Sequence, residues 1–360
     1  MVAIFFILIL STKGCSCGEI PIDPTREGRI VCPKGETNCG AKIGDVPWQA
    51  GLVFNGKFQP WCGGTLISDQ YVLTAAHCIK GRSTPPFTYQ IILGENNWRT
   101  RQEAQETRHS IIKAMVHPRF EEKAPFDFDF ALLKLAKPID FTQHSIIRPA
   151  CLPPTTESSH LNGKSGIASG WGVVNPNVPS RQANTLQKVT VKILADNECK
   201  YKYPTYPSII TPSMFCASAD SADACYGDSG GPFTVHQGNV SVLEGVISWG
   251  KSCAKTKWPG VYARVRYVLD WITNNIRDSN QCKRRDTNSG EESLLLQETT
   301  FSTTTSTTVG TTAVNKQTLN STIRPTQPIP DTFTTTTERP SSDNRCGLIC
   351  VKPYPINLLA

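Results

Sequence analysis

From Gln49 onward the chain alternates short apolar runs with turn residues. The runs lie at 49–54, 64–67, 71–75, 90–93, 110–116, 130–135, 188–193, 240–249 and 261–265, rich in Val, Ile, Leu and aromatic residues. They are too short for typical helices, and Gly, Pro, Asn and Asp separate them. Many short strands at this spacing predict an all-β sandwich or a pair of barrels. One stretch has helical spacing instead. In residues 267–275 the apolar positions Val268, Trp271 and Ile272 fall on one face, which predicts a helix near the end of the β-rich part.

The flanks break this texture. Residues 2–10 form an unbroken apolar run of nine, too short to span a bilayer and suited to a secretory signal. No Lys or Arg precedes the run and no A-x-A cleavage site follows it. A cut is expected between Gly14 and Gly18, giving a signal peptide over 1–17 and a leader over 18–29. Its position decides whether Cys15 and Cys17 remain. A buried core segment is the competing reading. Residues 282–345 are rich in Thr, Ser and Pro. Such a stretch buries too little apolar surface to offset the entropy of ordering, so a disordered, mucin-like tail is expected. Residues 346–360 form a short Cys-containing tail, too interrupted for a membrane span or a lipid-anchor signal. Asn239-Val-Ser241 and Asn320-Ser-Thr322 are N-glycosylation acceptor patterns.

Length and charge narrow the field. The 360 residues accommodate one large domain or two small ones, and the net charge of +7 is scattered, which gives no nucleic-acid signature. The 14 cysteines are more telling. They show no repeated C-x-x-C pair of the kind zinc sites use, so disulfides and an oxidising, extracellular setting are expected.

The candidate chemistry centres on Gly227-Asp228-Ser229-Gly230-Gly231-Pro232. Ser229 is the candidate nucleophile, and the glycines let backbone N–H groups approach a reacting carbonyl. A serine nucleophile needs a base and an acid that orients it. Among six histidines, His77 stands out in Leu73-Thr-Ala-Ala-His-Cys78, where small residues precede it and a cysteine follows. The acid is sought at Asp129, beside the apolar run Phe130 to Leu135, since a carboxylate tolerated there needs a partner. Asp127 is the close competitor. Glu95 and Glu103 flank a polar loop that admits a calcium site, although a solvated acidic loop is the simpler reading. No metal and no cofactor are expected.

These three motifs, in the order His, Asp, Ser, resemble the trypsin-like serine peptidases of the chymotrypsin family. Pro47-Trp-Gln49, Cys62-Gly-Gly-Thr-Leu-Ile67, His117-Pro118, Cys151-Leu-Pro153, Gly170-Trp-Gly172, Ser248-Trp-Gly250 and Pro259-Gly-Val-Tyr262 extend the match. The resemblance implies a peptidase domain over 30–281, built as two antiparallel six-stranded β-barrels with a C-terminal helix. It implies catalysis by His77, Asp129 and Ser229, with the N–H groups of Gly227 and Ser229 as oxyanion hole. It places Asp223 at the base of the primary pocket, with Ser248, Gly250 and Gly260 lining it, so the substrates are proteins or peptides cleaved after Arg or Lys. Ala224 stands where many relatives have serine, which implies a preference for Arg. Expected partners besides substrates are an activating protease and protein inhibitors. Bridges Cys62–Cys78, Cys199–Cys216 and Cys225–Cys253 are implied, and Cys151 would tether the leader through Cys39 or Cys32. A further family bridge is replaced at both ends, by Gly166 and Val235.

One family feature is altered. Relatives are activated by cleavage that frees an Ile-Val-Gly-Gly terminus, whose amino group pairs with the acid before the nucleophile, here Asp228. This chain has Arg29-Ile30-Val31-Cys32, with Ile30 farther from Pro47 than in relatives. Two functions follow: a secreted endopeptidase activated at Ile30, or a peptidase-like binding or regulatory protein held zymogen-like.

Overall fold

The computed structural model describes residues 15–20, 38–81, 88–100, 105–154, 161–173, 182–203, 209–219, 227–251 and 258–284. The apolar N-terminal run, Ile30, Cys32, Glu103, Asp223, Ala224, the Cys225–Cys253 pairing, the Thr/Ser/Pro-rich segment and the C-terminal tail lie outside them.

Thirteen strands are present among the described residues. The first barrel is closed by β2 (Gln49–Phe54), β3 (Cys62–Leu66), β4 (Tyr71–Thr74), β5 (Tyr89–Leu93), β6 (Thr107–Val116) and β7 (Ala131–Leu135), in the order β2-β3-β4-β7-β6-β5. The second uses β8 (Ser165–Gly170), β9 (Gln187–Ile193), β10 (Met214–Ser218), β11 (Pro232–Gln237), β12 (Val240–Trp249) and β13 (Gly260–Arg264). Pairing of β8 with β9 closes this ring, and β1 (Asn38–Gly40) adds to β9 from outside. All strand pairs are antiparallel, so the expected pair of six-stranded barrels is found.

Inward-facing apolar side chains fill each barrel. Leu52, Leu66, Leu73, Ile91 and Leu133 are fully buried in the first. In the second, the rings of Phe215, Phe233 and Tyr262 pack on one another at centroid separations of 4.9–5.3 Å. Gly166 faces Phe233: a Cβ there would fall 2.2 Å from the ring. The aromatic ring therefore occupies space beside the position where the family bridge is missing.

Among the described residues the α-helices are α1 (Asp196–Lys202) and α2 (Leu269–Asn275). The predicted helix over 267–275 is found as a 3-10 turn, Val265–Val268, running into α2. β1, β8, β10, β11 and α1 have no counterpart in the hydrophobic pattern. β8 reads Ser-Gly-Ile-Ala-Ser-Gly and shows no strand alternation although all but its first residue are buried, and β11 opens on proline, leaving only Phe233 and Val235 as its apolar signal.

The leader is fastened at its base. Cys15 is bonded to Cys282 and Cys17 to Cys151. Cys151 thus pairs with Cys17 in place of the expected Cys39 or Cys32. Backbone hydrogen bonds reinforce the clamp: Gly18 N to Pro149 O at 2.7 Å, Cys17 N to Lys283 O at 3.1 Å and Lys283 N to Cys15 O at 3.0 Å.

Candidate active site

His77 sits on a single 3-10 turn, Ala76–Cys78, directly after β4. Cys78 is bonded to Cys62 at the start of β3. The next residue, Gly63, donates its N–H to the Ser229 carbonyl at 2.7 Å. The bridge therefore draws the histidine turn and the serine loop toward one strand. The Cys78 sulfur lies 3.8 Å from His77 Nε2 and 3.7 Å from the Ser229 carbonyl oxygen. Histidine comes from the first barrel and serine from the loop preceding β11 of the second.

Asp129 is fully buried at the entry to β7. Its Oδ2 accepts from His77 Nδ1 at 2.7 Å and from Ser248 Oγ at 2.6 Å; its Oδ1 accepts the His77 backbone N–H at 2.9 Å. These donors compensate the cost of removing the carboxylate from water. A proton on His77 Nδ1 leaves Nε2 as the free acceptor. Asp127 has a different place: its Oδ1 accepts from Thr211 Oγ1 at 2.6 Å and from Ser213 Oγ at 2.7 Å. It anchors the 121–128 loop to the second barrel and does not face the histidine. The sequence left these two acids in competition; their hydrogen bonds separate them.

Ser229 is buried, at 7% exposure, whereas His77 keeps 15% of its side chain in solvent. Gly227 has φ +92°, a conformation that side chains rarely adopt, and a Cβ there would fall 2.1 Å from Gln182 Nε2. Asp228 is half-buried and its carboxylate lies against the Gly170-Trp-Gly172 turn. Its Oδ1 accepts the Gly172 N–H at 2.7 Å, and a Cβ at Gly170 or Gly172 would fall within 2.4 Å of the carboxylate. The Gly170-Trp-Gly172 motif is thus a cradle shaped for this acid.

Ser248, fully buried on β12, was expected to line the pocket; its hydroxyl is committed to Asp129. Gly250 is half-buried just beyond β12 and Gly260 is buried at the start of β13. Two contributors carried no signal in the sequence. Gln182 lies against Gly227 and accepts a hydrogen bond from Gln59 of the β2–β3 connection. Phe126, at φ +60°, sets its ring edge-on to His77 at 5.5 Å and nearly parallel to Trp249 at 6.2 Å.

The arrangement offers an oriented imidazole, a buried carboxylate behind it and a serine on a glycine-rich loop between two barrels. The Trypsin family model matches residues 38–272. A CLIP domain-containing serine protease B9 from Anopheles gambiae is 35% identical over 280 residues, covering 70% of this chain and 68% of that protein.

Proposed function

The chain belongs to the trypsin family, and on that footing we propose that it is a secreted endopeptidase that cleaves after Arg, and less well after Lys. The carrying observation is the double grip of Asp129 on His77, at Nδ1 and at the backbone N–H. That grip fixes the tautomer in which Nε2 can accept a proton from Ser229.

The steps follow. Ser229 Oγ attacks the scissile carbonyl while His77 Nε2 takes its proton. The N–H groups of Gly227 and Ser229 receive the oxyanion, each worth roughly 3–4 kcal/mol in such sites. The tetrahedral intermediate collapses, the C–N bond breaks and His77 returns the proton to the departing amine. Water then attacks the acyl-serine, losing its proton to His77, and the acid is released with Ser229 restored. Asp129 stays ionised throughout and stabilises the imidazolium. Asp223 at the pocket base pairs with the guanidinium of the substrate, between the walls formed by Gly250 and Gly260. Ala224 supplies no hydroxyl to help solvate an ammonium, which disfavours Lys.

Activation is by cleavage after Arg29. Pairing of β1 with β9 and the ion pair Lys188–Asp45 at 2.8 Å pin the chain from Asn38 to Asp45. A terminus freed within that span has little freedom, which supports Ile30 as the residue whose amino group inserts and pairs with Asp228. The bridges of Cys15 and Cys17 favour signal cleavage between Gly14 and Cys15, a shorter signal than 1–17.

The absence of Ile-Val-Gly-Gly supports the second reading, a regulatory protein that never completes its site. One experiment decides. The secreted protein is treated with trypsin, its new terminus sequenced, and a fluorophosphonate probe applied. Labelling at Ser229 after cleavage at Arg29 is expected. Cleavage without labelling overturns the peptidase reading.

A further inference from the structure

The motif Asn239-Val-Ser241 plays no part in the proposed reaction, and the fold gives it a particular setting. β11 and β12 form a hairpin in which Gln237 pairs with Val240, so Gly238 and Asn239 make up a two-residue turn. Gly238 has φ +63°, as the first position of such a tight turn requires. Both turn residues are exposed, and no heavy atom approaches the open side of Gly238. The asparagine amide is thus presented at a tip. β11 alone is about 20 Å long and starts three residues after Ser229, so the tip is far from the cleft.

The other half of the motif is inaccessible. Ser241 is fully buried, and its Oγ is hydrogen-bonded with His236 Nδ1 at 3.0 Å. Its N–H donates to Gly18 O at 2.9 Å and its carbonyl accepts from Cys151 N at 3.2 Å. The Cys17–Cys151 bridge holds that lid of backbone in place. Recognition of the acceptor motif requires the asparagine amide and the hydroxyl two residues on. The folded hairpin offers the first and hides the second.

We propose that Asn239 carries an N-linked glycan that is added only before β12 packs under the leader, so that occupancy is set by a race between glycan transfer and closure of Cys17–Cys151. In the transfer, Asn239 Nδ2 forms a bond to the anomeric carbon of a lipid-diphosphate-linked oligosaccharide. The bond from that carbon to the diphosphate oxygen breaks, the lipid diphosphate leaves, and the amide proton passes to a base of the transferase. Cys17 and Cys151 both precede Ser241 in the chain, so their bridge can close while the motif is still emerging. Once attached, the sugar projects from the exposed turn and leaves the buried faces of β11 and β12 undisturbed.

The inference rests on passage through the secretory pathway, as proposed above. Asn320-Ser-Thr322, in the Thr/Ser/Pro-rich segment, reports that passage independently. The full chain is expressed in insect cells, with and without a short pulse of dithiothreitol during synthesis. Glycans are removed enzymatically in ¹⁸O-water, which marks each occupied asparagine as an ¹⁸O-aspartate in peptide mass spectra. Partial marking at Asn239 is expected, rising at least twofold with dithiothreitol, while Asn320 is unchanged. An Asn239→Gln variant is expected to lose that mark and to keep the reaction of Ser229 with the fluorophosphonate. An unmarked Asn239 under both conditions overturns the proposal. If Asn320 is then marked, only this proposal falls; if Asn320 is also bare and the chain stays in the cells, the secretory reading falls with it. Marking at Asn239 that ignores dithiothreitol overturns the race.

Discussion

Ser248 and Asp129 meet across the two barrels: the Ser248 hydroxyl donates to Asp129 Oδ2 at 2.6 Å, onto the same oxygen that accepts from His77 Nδ1. A residue of β12 therefore completes the environment of an acid that precedes β7. The second barrel positions the acid as well as supplying the serine.

The two partners of this bond separate charge from position. Asp129→Asn keeps the shape but forces an amide against two donors and favours the wrong imidazole tautomer. On the proposed mechanism kcat on an Arg-amide substrate falls by about 10⁴-fold with little change in KM. Ser248→Ala leaves the charge and removes one hydrogen bond, so the fall is about tenfold. Equal losses in the two variants would contradict this division of roles.

Phe126 narrows the approach to His77. Its half-buried ring stands between the imidazole and Trp249, held by a loop whose Phe126 and Phe128 both have positive φ. Substrates with glycine or alanine immediately before the scissile Arg are expected to exceed those with leucine in kcat/KM. Phe126→Ala should shrink that difference by about tenfold, roughly the contact energy of a removed ring edge. The readout is a matched peptide series, and an unchanged ratio would remove Phe126 from the specificity account.

Specificity itself is tested at Asp223. Matched peptides ending in Arg or Lys should show a higher kcat/KM for Arg. Asp223→Asn should lower the Arg value by at least about 10²-fold, the range for losing one partner of a desolvated charge pair. Equal rates for Arg and Lys in the unmodified protein would count against the role given to Ala224.

The barrels were legible where strands alternate or run apolar, as at β2, β7 and β12, because periodicity reports burial directly. β8 was not, because four of its six residues are glycine or serine. Its Gly166 makes way for Phe233 and its Gly170 for Asp228, needs set by distant parts of the chain. The candidate residues His77 and Ser229 stood out in the sequence because their neighbours are themselves constrained: Cys78 by its bridge, Gly227 by its φ. Gln182 and Phe126 were not, since each owes its position to a loop and to no local pattern. The partner of Cys151 was misjudged for a related reason. Disulfide connectivity depends on where backbones pass one another, and the leader crosses Cys151 at Cys17.

That crossing gives a test of the leader. After cleavage at Arg29, the segment holding Cys15 and Cys17 should stay bound through both bridges. Intact mass under non-reducing conditions should show one species, and reduction should release the leader peptide. A Cys15→Ala/Cys282→Ala variant should retain the leader through Cys17–Cys151 but lose about 2–4 kcal/mol of stability. Release of the leader without reductant would contradict the two pairings.

His117 gives the protein an acid-sensitive joint. Its ring is stacked on Phe128 at 4.8 Å and meets the edge of Trp271 at 4.7 Å, tying the end of β6 to α2. Nδ1 accepts the Arg119 N–H at 3.2 Å, which requires that nitrogen to be unprotonated. Burial first, and then the Arg119 charge, push its pKa down to about 4, against the opposing pull of Asp127 and Glu122. In the unfolded chain the group titrates near 6.5. Between these values the unfolded state binds the extra proton. The contribution of neutral His117 is therefore complete above about pH 6.5 and is lost as the pH falls toward 4, on the order of 2 kcal/mol. His117→Asn keeps an acceptor for the Arg119 N–H but does not titrate. Thermal unfolding followed by tryptophan fluorescence should show Tm falling from pH 6.5 to 4.5 more steeply in the parent than in the variant. Parallel curves would show that protonation of His117 does not open this joint.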